Sequence, residues 1–204
     1  PRATTNKSHL ENGSCQKVYY DESSNTTYAL MQLDIYNNSA PSSHTVETLY
    51  TAEAIANYFG GHLASVSSPE DQAFMETHMT LGSYESPLSI LGMSYEGFPR
   101  QWIWLDGTPV TYTNWLTGYP KPYLGSHQLC EFNFCYQSSD IPIRNYWRNT
   151  IEGNRNYWSV PELFVLRLPG MHTQGEITTV LSQKSLLDYV RANHRGCLRY
   201  NAFL

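Results

Sequence analysis

One stretch constrains the fold of this chain more than any other: Trp102-Ile-Trp104-Leu-Asp106-Gly107-Thr108-Pro-Val-Thr-Tyr112-Thr-Asn114-Trp115. Two tryptophans two residues apart share one face of an extended strand, so both rings can enter the same core. Asp106-Gly107 is a turn dipeptide that reverses the chain immediately afterwards. Tyr112 and Trp115 then read as core residues or loop anchors. Charged residues make up only 15% of the chain and aromatics 14%, with 16 tyrosines, a balance that suits an aromatic-rich surface more than a helical cytosolic enzyme.

Around this stretch the chain has a legible order. Residues 1–14 are polar without periodicity and read as a flexible arm. Val18-Tyr19-Tyr20 and Tyr28-Ala29-Leu30-Met31 are short strands flanking the polar turn Asp21 to Thr27. From Thr48 to Phe59, apolar residues at three- and four-residue spacing predict a helix that Gly60-Gly61 ends. Ser68-Pro69-Glu70-Asp71 offers an N-cap, proline at the first helical position and acidic residues in the first turn, so a second helix runs from Pro69 to about Met79. Past Pro169-Gly170, Ile177, Val180, Leu181, Lys184, Leu187 and Val190 form a helical stripe that Gly196 would close.

At this point the sequence resembles the C-type lectin domain family. Thr51-Ala-Glu-Ala-Ile-Ala-Asn-Tyr-Phe-Gly-Gly-His-Leu-Ala-Ser-Val-Ser-Ser-Pro-Glu-Asp-Gln-Ala-Phe74 looks like that family's block of first helix, Gly-Gly-x-Leu-Ala-x-Val and second helix. Ile90-Leu91-Gly92-Met93 resembles its Trp-Ile-Gly-Leu core strand, with Ile90 in place of Trp. The tryptophan stretch matches its Trp-x-Trp-x-Asp-Gly-Thr…Tyr-x-Asn-Trp run. The resemblance implies an α+β double-loop fold, two helices with small antiparallel sheets, over residues 15–168, with an insert near 134–155. Residues 169–204 are then a C-terminal linker and helix appended to it.

Sugar-binding members hold calcium with a Glu-Pro-Asn or Gln-Pro-Asp triplet, a Glu two residues before a strand Cys, and the Asn-Asp of Trp-Asn-Asp. Calcium takes six to eight oxygens, several from carboxylates, so those residue types are chemically required. Here the triplet aligns with Tyr119-Pro120-Lys121, the Glu with Gln128, and Trp-Asn-Asp best with Trp158-Ser159-Val160. No carboxylate remains in this set, and Lys121 adds an ammonium where the cation would sit. The resemblance therefore implies a lectin-like domain whose calcium-dependent sugar site has been lost, with no metal and no cofactor. In the family Pro120's counterpart is often cis, which only proline makes accessible at low cost.

The resemblance also implies a disulfide between first helix and last strand, at positions that here are Ala56 and Leu166; both are apolar, so packing can take over the contact. Cys130 matches the family's strand Cys but its usual partner is absent. The pairings expected are Cys130 with Cys135, which needs a turn or bulge between them, and Cys15 with Cys197, which would staple the extensions. Where the family has a short connection, the insert carries Tyr136, Arg144, Tyr146, Trp147, Arg148 and Arg155. Tyr, Trp and Arg are enriched in interface hot spots. The insert either folds back and buries these side chains or presents them to a partner.

The search for catalytic chemistry finds none. The 7 histidines are scattered, without the His-x-x-x-His or Cys-x-x-Cys spacing of a zinc site, and nucleophile-elbow and phosphate-loop glycine motifs are absent. The formal charge of -5, without a Lys/Arg run, speaks against nucleic acid, and no apolar run reaches bilayer length. The chain begins at Pro1 without a signal-like stretch and reads as a processed piece of a longer protein. Asn6, Asn12, Asn25 and Asn37 head N-glycosylation sequons, which points to the secretory pathway. The expected function is a non-catalytic, calcium-independent extracellular or cell-surface module that binds a protein partner or joins a larger assembly. The alternative is a lectin that binds glycan without calcium.

Overall fold

The computed structural model describes residues 9–36, 46–79, 89–96, 99, 101–120, 128–133, 136–138, 141–143, 146–151 and 162–193. Two strands open the chain as a long hairpin, β1 (His9–Asp21) and β2 (Thr26–Tyr36). Its turn is made by Asp21, whose carboxylate accepts from Ser23 N–H and from the Ser23 and Ser24 hydroxyls, and by Asn25 in the left-handed region at φ 49°. Those hydroxyl bonds hold the Asp21 carboxyl below its usual range. The hairpin is much longer than the two short strands predicted, and β1 reaches back to His9. Residues 9–14 are thus paired strand instead of flexible arm. The polar side chains of Asn12, Ser14 and Gln16 concealed this, because an outermost strand does not need a continuous apolar pattern.

The two helices follow as the caps predicted. α1 (Val46–Tyr58) ends where Gly60 turns to φ +78° and Gly61 N–H reaches back to Ala56 O. α2 (Pro69–His78) is capped by Ser68, whose hydroxyl accepts from Asp71 N–H at 3.1 Å. Between them lies the two-residue strand β3 (His62–Leu63). Glu53 of α1 holds it: one carboxylate oxygen accepts from Leu63 N–H at 2.9 Å and the other sits 2.6 Å from His62 Nδ1.

The remaining strands are β4 (Ser89–Glu96), β5 (Gln101–Trp104), β6 (Gln128–Asn133), β7 (Tyr136–Ser138), β8 (Ile141–Ile143), β9 (Tyr146–Ile151) and β10 (Glu162–Pro169). The main sheet runs β1-β2-β10-β4-β6-β9, with β3 on β10 and β5 on β4. Among the described strands, β10 and β4 pair in parallel and the other pairings are antiparallel. β7 and β8 form a separate hairpin inside the insert.

The centre of this sheet is buried on both faces, and period two assigns the residues. Met31 and Leu33 of β2 and Phe164, Leu166 and Leu168 of β10 join α1 in one cluster. Leu30, Leu163 and Val165 face the other way, towards Met75 and Met79 of the α2 region and the tryptophans. Ala56 and Leu166, at the family's disulfide positions, are both fully buried in the first cluster, so apolar packing fills that place.

The C-terminal segment is part of this core. The predicted single stripe is two helices, α3 (Gln174–Leu181) and α4 (Lys184–Asn193). The chain tightens at the junction, with Ser182 N–H to Thr179 O and Gln183 N–H to Val180 O, while the Ser182 hydroxyl also takes Thr179 O. The break resets the helical phase, so Leu186, and not Leu187 as the stripe predicts, is fully buried. Ile177, Leu181, Leu186 and Val190 all join the α1 cluster. Gly196, the expected closing residue, lies outside the described residues.

Cys15 is a buried free thiol, and Cys197, its expected partner, lies outside the described residues. Burial pushes this thiol up to about 11. Cys130 sits in β6, and Cys135 lies outside the described residues. Among the described residues no helix is long and apolar enough to cross a membrane.

Candidate functional site

The tryptophan stretch builds the face of interest. Trp104 is buried and Trp102 half-buried against the same cluster, as their two-residue spacing requires. After β5 the chain turns through Gly107 at φ +81°, with Gly107 N–H to Trp104 O and Thr108 N–H to Asp106 Oδ1. The other Asp106 oxygen accepts from Ser65 Oγ at 2.6 Å, which ties this turn to the segment after β3.

The long loop that follows is held by Trp147. Its backbone N–H donates to Asn114 O and its carbonyl accepts from Leu116 N–H, both at 2.8 Å, so loop and strand lie side by side at Trp115 and Trp147. Its ring is 0% exposed and meets Trp104, Tyr112 and Trp115 edge-on, at 5.7 to 5.8 Å between centroids. Its indole N–H donates to Gln72 Oε1 of α2 at 2.9 Å. This one side chain therefore joins loop, β5 and α2. From it a row of rings continues outward through Trp115 and Trp102, 5.0 Å apart, to Tyr95, 5.3 Å further on. Those three are half-buried.

Burial corrects the expectation for Trp147, which the sequence places among partner-binding residues. Neighbours on a strand point to opposite faces, so with Trp147 inward, Tyr146 points out and is 45% exposed. Tyr136 and Arg148 lie on β7 and β9, and their side chains are outside the described set; Arg144 and Arg155 lie outside the described residues altogether. Sequence reading missed Gln72, a polar residue on the inner face of α2. It also missed the role of Asn114 O, for which no side-chain signal exists.

Where the resemblance aligns the calcium triplet, the Tyr119–Pro120 bond is cis, Gly118 before it sits at φ +84°, and Tyr119 N–H donates to Leu116 O. Tyr119 brings a phenol where the family's triplet has a Glu or Gln side chain, a poor donor for calcium. Lys121, Ser159 and Val160 lie outside the described residues, and Gln128 is described only as part of β6. Among the described residues, no three His, Cys, Asp or Glu side chains gather as a metal site would need. Of the sequon residues, Asn25 is exposed in the β1–β2 turn with Tyr20 OH donating to its Oδ1, and Asn12 lies on β1. Asn6 and Asn37 lie outside the described residues.

Two helices beside a mixed sheet, with a long loop folded back on a tryptophan core, define a lectin-like double-loop domain. The family model of the lectin C-type domain matches residues 45–157, more than half of the chain, and the chain belongs to that family. Its last matched residue precedes Trp158. The chain is 29% identical over 80 residues to the secretory phospholipase A2 receptor of Pongo abelii, covering 39% of this chain and 6% of that protein. It is 29% identical over 84 residues to the galactose-specific lectin nattectin of Thalassophryne nattereri, covering 41% of this chain and 53% of the lectin. The matched segments thus span about half or less of these relatives. Human lithostathine shares the fold, at a TM-score of 0.51 and 15% identity over 76% of this chain and 98% of that one.

Proposed function

We propose that this chain is a non-catalytic recognition module of the extracellular space or cell surface, and that it binds a protein partner without calcium through the outward side of β9, where Tyr146 is exposed. One observation carries this reading: the long loop is pinned by the rings and hydrogen bonds of Trp147. Calcium shapes this loop in the sugar-binding members that the sequence resembles; in this reading the packing around Trp147 takes over that role.

The same observation revises the calcium alignment. Calcium ligands must converge to within about 2.6 Å of one ion, so an Asn-Asp pair must lie next to the strand of Gln128. That neighbour is β9, where Cys130 faces Asn149 and Glu131 faces Arg148. Trp147-Arg148-Asn149 is therefore the better counterpart of Trp-Asn-Asp than Trp158-Ser159-Val160, and in that alignment Arg148 and Asn149 stand where the family has Asn and Asp, so no carboxylate is restored. A micromolar calcium site at millimolar calcium would add about 4 kcal/mol, or roughly 10 °C in Tm. The expected result is one melting curve in calcium and in EGTA; a calcium-dependent rise would restore the metal site.

The partner is tested with the full chain against an array of extracellular protein ectodomains in EGTA. Tyr146→Ala is expected to weaken binding by about tenfold or more while Tm stays unchanged, as for a hot-spot ring with little role in the core. Unchanged affinity removes this face from the proposal. The half-buried Trp102 and Trp115 rings also support the alternative of a glycan held by stacking. Binding to a glycan array that persists in EGTA and is lost on Trp102→Ala would put that reading first.

A further inference from the structure

β1 ends the main sheet, so its outer side should present a row of unpaired backbone N–H and C=O groups, a template for another strand. At the middle of β1 these groups are taken. Cys15 N–H donates to Thr178 Oγ1 at 3.2 Å, and Gln174 Nε2 donates to Cys15 O at 2.8 Å and to Gln16 O at 3.4 Å. Both backbone groups of Cys15 are thus bound by α3 side chains of matching polarity, one acceptor and one donor, as a neighbouring strand would bind them. One turn further on, Leu181 packs on Gly13, where a Cβ would lie 3.2 Å from Leu181 Cβ. Residues 174, 178 and 181 recur at helical spacing, so one stripe of α3 lies along this edge. The register of β1 against β2 shifts between Cys15 and Lys17, a bulge under the same cover.

The cover is fastened where it begins. Gly170 N–H donates to Asn25 O, Thr27 Oγ1 donates to Gly170 O, and His172 N–H donates to Thr27 Oγ1. A Thr173–Glu176 capping box then starts α3. Along its length α3 meets the edge through the exposed Gln174 and the half-buried Thr178, while Leu181 is buried against Gly13.

We propose that α3 is an intramolecular edge cover, which stands in for a missing strand at Cys15 and keeps β1 from pairing with β1 of a second copy of this chain. A second copy is the occupant that fits, because the 13-residue β1 can pair antiparallel with itself about a two-fold axis and satisfy the same groups on both chains. Lifting α3 turns a closed edge into a dimer interface. The module's valency then depends on the state of its C-terminal helices.

The test uses the full chain carrying Gln174→Glu with Thr178→Val. This sets a carboxylate against Cys15 O and Gln16 O and removes the acceptor of Cys15 N–H, while Ile177 and Leu181 stay in place. Amide exchange and sedimentation equilibrium are compared with the unaltered chain. The Cys15 amide is expected to exchange about tenfold faster or more at low concentration. Self-association should tighten by a similar factor, with protection of residues 13–17 returning as the dimer forms. Unchanged exchange at Cys15, or faster exchange without tighter association, overturns the proposal. Thr178→Pro, which breaks α3 in its middle, should act in the same direction more strongly. Should it unfold the chain, the double variant still decides.

Discussion

Replacing Trp147 by Ala lowers the stability of the fold by about 3 to 5 kcal/mol, the range for truncating a fully buried tryptophan, and lowers Tm by roughly 10 °C or more. The reason is its position as hub: it packs edge-on against Trp104, Tyr112 and Trp115 and donates its indole N–H to Gln72. No single neighbour can collapse into the space, because the three rings belong to β5 and to two points of the long loop. Trp147→Phe keeps an aromatic ring and loses the hydrogen bond to Gln72, so its cost should be smaller, nearer 1 to 3 kcal/mol. Denaturant unfolding of both variants checks the order. A Trp147→Ala chain that melts within about 2 °C of the parent would show that this ring lies outside the core.

Gly61→Ala is expected to cost about 3 kcal/mol or more, for a different reason. A Cβ at Gly61 would stand 2.2 Å from Arg167 O and 2.9 Å from Leu168 Cα, both backbone atoms of β10. β10 pairs with β2, β3 and β4, so it cannot move aside without disturbing the centre of the sheet. The clash must instead push α1 and β3 away, against the bonds from Gly61 N–H to Ala56 O and from Leu63 N–H to Glu53. Gly175→Ala is the counterpart. That residue lies in α3 with open space around its missing Cβ, so the substitution should stabilise by up to about 1 kcal/mol through helix propensity. A shift of the urea midpoint to lower concentration for Gly61→Ala and to higher for Gly175→Ala, at unchanged slope, is the expected pattern. A Gly61→Ala chain as stable as its parent would mean that β3 and β10 do not approach as closely as described.

Local signals carried much of the fold into the sequence. The Ser68-Pro69 start of α2, the Gly60-Gly61 end of α1 and the strand with Trp102 and Trp104 were readable because each depends on a few neighbouring residues: a side chain that can cap, a backbone that can take positive φ, a period of two. Two features of the site were not. The place of Trp147 in the core is set by the register of β9 on β6, which brings it opposite Phe132 and beside the loop at Trp115. Tyr146 takes its exposure from that same register, because a slip of one residue would exchange the two.

The sequence by itself determined the family, the two helices and the tryptophan strand. The tertiary structure alone decided the length of β1, the break between α3 and α4, the free thiol of Cys15 and the inward turn of Trp147. Each of these depends on contacts between residues far apart in the chain: Cys15 meets Thr178, Trp147 meets Gln72, and the phase of α4 is set by its packing in the α1 cluster. Periodicity and caps report what a segment prefers by itself. Which of two neighbouring aromatic side chains, Tyr146 or Trp147, is buried is settled only when the sheet closes and one register satisfies the hydrogen bonds on both sides.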